Sequence, residues 1–173
     1  MNLLYAPWRD SYTKKVKDKD GVHKEGECVF CQLGRGDSAD DDKESLVLGR
    51  YRHHYVVMNK YPYNAGHLLV VPFKHCAQLS DLLPEAIVEH MILVAKVVEL
   101  LTESLKCEGI NMGMNIGRIA GAGIPDHIHM HIVPRWGGDT NFLPIVCDTK
   151  QISVDMVSLY TRLKEAFKKL VME

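Results

Sequence analysis

Short runs rich in β-branched, aromatic and other apolar residues are spread along much of the chain, and such runs are typical of β-strands. The runs cover residues 45–49, 54–59, 67–73, 109–117 and 127–134. A polar turn separates the first two and predicts a hairpin, which places His53 and His54 in the turn. The pattern therefore predicts a sheet of about five strands.

Two segments have the period of an α-helix instead. Between residues 84 and 106 the apolar residues recur at helical spacing, as do Ile87, Met91, Val94 and Val98. His90 is expected to face outward on this helix. A second amphipathic helix is predicted over residues 153–172. An antiparallel sheet that carries one long helix and a C-terminal helix is an α+β domain.

Polar stretches interrupt this pattern twice. Residues 1–27 are predicted to form an N-terminal arm, of which residues 10–27 are polar and charged, and residues 34–45 are predicted to form a surface loop. Such tracts bury too little apolar surface to pack. The sequence contains no visible linker or repeat, so residues 1–173 are predicted to form a single domain.

Composition and charge exclude several classes of protein. Apolar residues make up 46% and charged residues 25% of the chain, as in soluble globular proteins. The net charge of −1 gives no overall field that would attract nucleic acid or an anionic membrane. The sequence shows no signal peptide, and no run approaches the roughly 18 apolar residues of a membrane span. Five cysteines, an odd number, argue against a disulfide scaffold, so we expect a cytoplasmic protein without a membrane partner.

The most informative stretch is DHIHMHIVPRW, residues 126–136, which has His127, His129 and His131 at two-residue spacing. In a strand these three side chains share one face, while the apolar residues between them anchor the other face in the core. They could be surface histidines, three zinc ligands, or a nucleophile with two assistants. Strict alternation directly after a glycine-rich loop disfavours the first reading. A neutral imidazole is a good nucleophile toward phosphorus.

The glycine-rich loop before the histidines could bind the phosphate that the histidines would act on. Gly117, Gly121 and Gly123 allow backbone N–H groups to turn inward and form a nest for an anion. A phosphate held by such a nest would lie next to the histidine strand.

A second group of residues has the chemistry of a metal site. Cys28 and Cys31 form a CxxC pair, and a tetrahedral site would need two further ligands. His75 and one histidine of the triad are available for that role.

These motifs resemble those of the histidine-triad (HIT) family of nucleotide hydrolases and transferases. HIHMHI (127–132) is similar to the family's His-φ-His-φ-His motif, NAGHLLVVPFKH (64–75) to its Gly-His-x-Leu-Val-x-Pro segment, and MNIGRIAGAG (114–123) to its Asn-x-Gly-x-x-Ala-Gly loop. APWR (6–9) and RWGGDTNFLP (135–144) narrow the resemblance to the bacterial branch of diadenosine tetraphosphate (Ap4A) phosphorylases and hydrolases. The resemblance spans roughly residues 5–145 and implies a homodimer.

The resemblance implies a covalent mechanism. His129 would attack the α-phosphorus of a dinucleoside polyphosphate such as Ap4A and form a nucleotidyl-histidine, which phosphate or water would then release. His131 would help the leaving group to depart, and His127 would lie beside the nucleophile. His67 lies at the position whose side chain or backbone would support the ring of the nucleophile.

The resemblance also implies a set of substrate contacts. Asn115 and the loop backbone would hold the phosphate, Asn59 would bind the ribose, and two apolar residues would cover the base. Trp136 would stack near the distal part of the substrate. The full set is Asn59, Val57, Leu69, His67, Asn115, Gly121, Ala122, Gly123 and Trp136.

Zinc-bearing members of the family bind the metal through the CxxC pair, the histidine of a Pro-x-x-His segment and the first triad histidine. The matching positions here are Cys28, Cys31, His75 and His127. This set implies a closed structural zinc site with no open coordination position, and no organic cofactor.

Two positions depart from the family pattern. Residues 120–123 read Ala-Gly-Ala-Gly where many members carry Gln or Ser, which leaves open whether water or phosphate is the second acceptor. The third triad residue is His131 and not Gln, which disfavours a nucleotide-sugar transferase. Two other readings stay open: a hydrolase with zinc on all three triad histidines, and a nucleotide-binding sensor without turnover.

Overall fold

The computed structural model describes residues 28–36, 39–147, 149–152 and 154–172, so the predicted N-terminal arm lies outside the described residues. Five strands and five helices follow one another along this part of the chain. They are α1 (Val29–Gly34), α2 (Ala39–Ser45), β1 (Val47–Arg50), β2 (His54–Met58), β3 (Leu68–Pro72), α3 (Pro84–Leu105), β4 (Gly109–Met114), β5 (Met130–Arg135), α4 (Leu143–Val146) and α5 (Met156–Phe167).

The strands form one antiparallel sheet with the order β1-β2-β3-β5-β4. The predicted five-stranded α+β fold is therefore confirmed. In the register of this sheet, Leu69 of β3 lies opposite Val57 of β2 on one side and His131 of β5 on the other. Because side chains on neighbouring strands share a face in this register, the third triad histidine is placed beside Leu69.

Each face of the sheet has its own apolar cluster. On one face Val56, Leu68 and Ile132 pack with α3 and with Leu163 of α5. Burial of such a side chain contributes about 1.5–3 kcal/mol. On the opposite face, side chains of β1, β2 and β3 pack with α1, which carries the CxxC pair. The triad histidines lie on this second face, whereas α3 and α5 cover the first.

Helix α3 begins at Pro84, which suits the first helical turn, and ends at Leu105, because Lys106 adopts the left-handed conformation with φ 54°. Its buried side carries Ala86, His90, Leu93, Val94, Val97 and Leu101. The apolar series named from the sequence mixes two sides of the helix, since Ile87 and Met91 are 36% and 50% exposed. None of the described helices has the length and apolar character of a membrane span.

The prediction that His90 faces outward was wrong. His90 is buried against His54, with 4.9 Å between the ring centroids. His54 was predicted in a turn, but it is the first residue of β2, and its Nδ1 lies 2.9 Å from Oε1 of Glu89. Glu89, which precedes His90 on α3, thus pairs with His54 of β2, and the rings of His54 and His90 pack together.

The predicted surface loop over residues 34–45 was also wrong in part. Gly34 is the last residue of α1, and Ala39–Ser45 is a helix. Asp42 forms ion pairs with Arg50 and with Lys164, the latter at 2.9 Å. These two pairs tie α2 to β1 and to α5, so part of the charge run is used in packing.

Candidate active site and metal cluster

The three histidines lie where the chain enters β5, which begins at Met130. His127 and His129 precede the paired part of the strand, whereas His131 lies within it. The intervening Ile128 packs in a small cluster with Cys76 and Ala86, on the side away from the histidines. Alternation therefore holds over the whole stretch, although strand pairing covers only its second half.

His129 has a defined tautomer. Its Nδ1 lies 2.8 Å from the carbonyl oxygen of His127. Because a carbonyl can only accept, Nδ1 carries the proton and Nε2 keeps its lone pair. The ring of Phe30 packs against His129 at a centroid distance of 4.7 Å. The orientation of the His129 ring is thus fixed by the backbone and by α1.

The side chain of His67 contacts His131, the third histidine of the triad. Its predicted support of the His129 ring stays a prediction. Nε2 of His67 lies 2.9 Å from Nδ1 of His131. Tyr63 covers both rings, with centroid distances of 4.6 Å to His67 and 5.6 Å to His131. Support for the central histidine comes from His127 and Phe30, and His67 acts on the third histidine.

A cleft opens beside these histidines on the sheet face. Its lining residues are Phe30, Asn59, Tyr61, Leu69, Asn115, Gly121, Gly123, Ile124, His129 and His131. Most of the residues predicted to bind substrate therefore meet at one place. Val57 is buried beneath the cleft in the core, and Ala122 is buried in the loop, so neither side chain lines it.

The loop between β4 and β5 forms one wall of the cleft. Gly117 and Gly121 have φ of 84° and 93°, values that other residues rarely adopt. The backbone N–H of Gly121 donates to the carbonyl of Arg118 at 3.0 Å, and Nδ2 of Asn115 lies 3.5 Å from the carbonyl of Gly121. These bonds stabilise the turn of the loop and connect it to the end of β4.

Four side chains form a compact cluster that could hold a metal ion: Cys28, Cys31, His75 and His127. One ligand atom from each lies within 4.8 Å of the others, and the closest pairs are Cys31 Sγ to His75 Nδ1 and His75 Nδ1 to His127 Nδ1, both at 3.3 Å. Tetrahedral zinc with bonds of about 2.0–2.3 Å places its ligand atoms about 3.3–3.8 Å apart. The donor set and its spacing therefore fit a closed zinc site.

A hydrogen bond of the second ring nitrogen, Nε2, fixes the orientation of the His127 ring. Its Nε2 donates to the carbonyl oxygen of Pro72 at 2.9 Å, so Nδ1 is the nitrogen that faces the cysteines. Burial lowers the pKa of His127 from 6.5 to about 4, with smaller contributions from the neighbouring rings of His75 and His129 and opposition from the Pro72 carbonyl. A neutral imidazole at pH 7 is the form that binds a metal.

Trp136 is not brought into the cleft by the part of the chain that the structure describes. Its indole Nε1 donates to the carbonyl of Lys106 at 3.2 Å, and its ring lines a separate cavity with Asn64 and Lys150. Its predicted contact with the distal part of a substrate stays a prediction.

Four residues of the site were not predicted from the sequence: Phe30, Tyr61, Tyr63 and Ile124. Phe30 lies between the two cysteines of the CxxC pair. Because the predicted metal set brings these cysteines next to His127, the sequence could have placed Phe30 near the triad. The two tyrosines lie in a turn and carry no periodic signal. Their positions depend on the path of the chain between β2 and β3.

Comparison with known proteins agrees with this geometry. An antiparallel sheet that presents three alternating histidines beside a Cys/His cluster defines a histidine-triad domain. The chain belongs to the HIT-domain family, whose model matches residues 41–138.

Similar proteins include an AP-4-A phosphorylase of Mycobacterium tuberculosis, 41% identical over 111 residues, which are 64% of this chain and 57% of that protein. The chain thus spans little more than half the length of this relative. A HIT-like protein of Methanocaldococcus jannaschii is 31% identical over 75% of this chain and 95% of its own. The fold resembles that of a zinc-bound histidine triad family protein from Mycobacterium smegmatis, with a TM-score of 0.66 and 24% identity over 84% of this chain and 96% of that one.

Proposed function

We propose that the protein cleaves the phosphoanhydride of a dinucleoside polyphosphate such as Ap4A through a covalent nucleotidyl-histidine on His129. The observation that carries this proposal is the hydrogen bond from Nδ1 of His129 to the carbonyl of His127, at 2.8 Å. It leaves the lone pair of Nε2 on a ring that lines the cleft. The similarity to the AP-4-A phosphorylase of Mycobacterium tuberculosis supports the choice of substrate.

In the first step Nε2 of His129 attacks the α-phosphorus, a P–N bond forms, and the P–O bond to the remaining polyphosphate breaks. The electron pair goes to the departing oxygen. The imidazole ring becomes cationic, and the proton on Nδ1 stays hydrogen-bonded to the carbonyl of His127, which stabilises the charge. Asn115 and the loop at Gly121 to Gly123 line the place where the phosphate oxygens would lie.

In the second step an oxygen of phosphate or water attacks the same phosphorus, the P–N bond breaks, and His129 is restored. With Ap4A, phosphate gives ADP and ATP, whereas water gives AMP and ATP. The Mycobacterium tuberculosis relative is an AP-4-A phosphorylase, which favours phosphate as the acceptor. Asn59 would bind the ribose and Leu69 would contact the base, since both line the cleft next to Phe30.

The alternative with zinc on all three triad histidines has little support in the geometry. Nδ1 of His127 points to the cysteines, Nδ1 of His129 is bonded to a carbonyl, and His131 faces His67. Within the described residues the group with metal-ligand spacing contains only the first triad histidine.

Labelled substrate tests the mechanism. Ap4A labelled at the α-phosphate should leave label on the wild type after an alkaline quench and none on His129→Ala. His53→Ala alters a histidine outside the cleft and should keep the label. Product analysis with and without inorganic phosphate then identifies the acceptor. Full turnover by His129→Ala would rule out the covalent step, and turnover without label on the wild type would do the same.

We also propose that the Cys/His cluster holds one structural zinc ion. When bound, zinc would fix α1 to the sheet and would leave the reaction to the histidines. Metal analysis should find one zinc per chain in the wild type and none in Cys31→Ser. Cys107→Ser changes a buried cysteine outside the cluster and should keep the metal. Metal-free wild type with an unchanged melting temperature would contradict this proposal.

We also propose that the protein forms a homodimer, on the basis of an exposed sheet edge and exposed apolar side chains. Strand β4 is the last strand of the sheet, and Met112 on it is 58% exposed. Val88 and Met91 on α3 are 58% and 50% exposed. An unpaired edge and exposed apolar side chains favour association with a second copy. Light scattering should give twice the chain mass for the wild type and a lower mass for Met112→Glu.

We propose a cytoplasmic location, which the five free cysteines support.

A further inference from the structure

The turn between β2 and β3, residues 59–63, presents two backbone N–H groups to side chains of the site. The N–H of Tyr61 donates to Oδ1 of Asn59 at 2.9 Å, and the N–H of Tyr63 donates to Nδ1 of His67 at 3.0 Å. A backbone N–H can only donate. The atoms opposite these two groups are therefore acceptors.

The first bond orients the amide of Asn59. With Oδ1 facing the N–H of Tyr61, Nδ2 is the atom that lies 3.3 Å from Nδ1 of His67. Nδ1 of His67 thus faces two donors and carries no proton. A neutral His67 then has its proton on Nε2.

The same reasoning extends to the third triad histidine. Nε2–H of His67 donates across 2.9 Å to Nδ1 of His131, so the proton of His131 is on its own Nε2. A protonated His131 would place its Nδ1–H against the N–H of His67 at this short distance. The geometry disfavours that state.

We propose that His67 and the turn 59–63 are positioning groups that hold His131 as a neutral Nε2–H donor. This inference rests on the proposed function, and it specifies what His131 does. In the first step Nε2–H donates a hydrogen bond to the oxygen that leaves the α-phosphorus. No proton needs to pass to that oxygen, because a phosphate whose second pKa is about 6 departs as an anion at pH 7.

Tyr63 contributes to the same arrangement through its ring. The ring lies nearly parallel to that of His131, with an interplanar angle of 22°, and packs on His67 at a centroid distance of 4.6 Å. Its backbone sets the tautomer of His67, and its side chain limits rotation of both imidazoles. The direction of the hydrogen bonds from the turn to His131 is therefore set by the backbone N–H groups of Tyr61 and Tyr63.

The test compares two variants, His67→Gln and His67→Glu, whose new side chains are equal in size. Gln can accept from the N–H of Tyr63 and donate to His131, whereas Glu offers acceptors and no donor at neutral pH. Histidine-selective ¹⁵N NMR of the substrate-free protein reports the tautomer directly, and His131→Asn assigns the signal. We expect Nε2–H in the wild type and in His67→Gln, and Nδ1–H in His67→Glu.

Kinetics with Ap4A provide the second readout. With the wrong tautomer, His67→Glu should lose about 10²–10⁴-fold in kcat, in line with the loss of an oxyanion donor or of a triad's correct tautomer. His67→Gln should stay within about tenfold of the wild type on the same scale. Thermal unfolding of both variants checks that the fold is retained. Equal losses in kcat for the two variants would overturn the inference.

The two readouts separate this inference from the proposed function. An imidazolium or Nδ1–H form of His131 in the wild type at pH 7 would overturn the inference, even if Ap4A is cleaved. A wild type with the expected tautomer but without activity on Ap4A would instead refute the proposed substrate.

Discussion

Replacement of His90 by leucine should make the protein less sensitive to acid. His90 is 2% exposed between α3 and β2, and neither of its ring nitrogens has a hydrogen-bond partner among the residues that the structure describes. Nε2 of the adjacent His54 is in the same situation. A buried imidazole without a partner is tolerated while it is neutral and is costly once it is charged.

The magnitude follows from the pKa of His90. The pKa of His90 is lowered from 6.5 to about 4, mainly by burial and to a smaller extent by the nearby His54, while Glu89 opposes both effects. Because the folded state holds the proton less tightly than the unfolded state, the associated stability is complete above pH 6.5 and falls as the pH falls toward 4. The loss is about 1.4 kcal/mol per pH unit in this window, or about 2 kcal/mol between pH 7.5 and pH 5.

Urea unfolding at pH 7.5 and pH 5 measures the effect. The wild type should lose about 2 kcal/mol more than His90→Leu between the two conditions. Acid-sensitive groups that do not contact His90, including the Cys/His cluster, have the same surroundings in the two proteins, so their contributions cancel in the difference. Met91→Leu alters a half-exposed neighbour on the same helix and should behave as the wild type does. Equal acid losses in His90→Leu and the wild type would refute the reasoning.

Three further substitutions test the fold. Gly66→Ala should cost about 1–3 kcal/mol, because Gly66 has φ 74° and an added Cβ would lie 2.5 Å from Cδ1 of Leu105; an unchanged melting temperature would contradict this. Asp155→Ala removes the N-cap of α5, whose Oδ2 accepts from the N–H of Ser158 at 2.8 Å, and should cost about 1 kcal/mol in urea unfolding, while Asp155→Asn should recover most of it. Leu163→Ala empties a fully buried position and should cost about 2–5 kcal/mol by calorimetry, and a loss below 1 kcal/mol would show that the core refills.

The spacing of apolar residues predicts the helices and strands of the fold well. Helix α3 shows the limit of this prediction, because its buried face could not be chosen from the spacing. Its length was predicted to within a residue or two, but apolar residues such as Ile87 and Val88 occur on its outer side as well as on its inner side. Period alone then gives no way to choose the buried face. His90 was assigned to the surface because histidine is polar, although its partner His54 comes from a strand 36 residues earlier.

In the candidate site, contacts between sequence neighbours could be predicted, whereas contacts between distant residues could not. His127, His129 and His131 are neighbours in sequence, so local alternation was enough to predict that they share a face. The contact between His67 and His131 joins residues 64 positions apart, and that between Cys28 and His127 joins residues 99 apart. Spacing carries no information about such pairs. The resemblance to the family supplied the predicted metal set, and only the structure gives the hydrogen bond between His67 and His131.

His127 connects the two parts of the site through three of its atoms. Nδ1 faces the cysteines, Nε2 donates to the carbonyl of Pro72, and the main-chain oxygen accepts from Nδ1 of His129. The first two bonds fix the ring, and a fixed ring limits the movement of the carbonyl that orients the nucleophile. Removal of a metal from the cluster would therefore act on catalysis through the geometry of this carbonyl. We expect activity to decline together with the order of α1, because in the proposed mechanism the metal contacts no reacting atom.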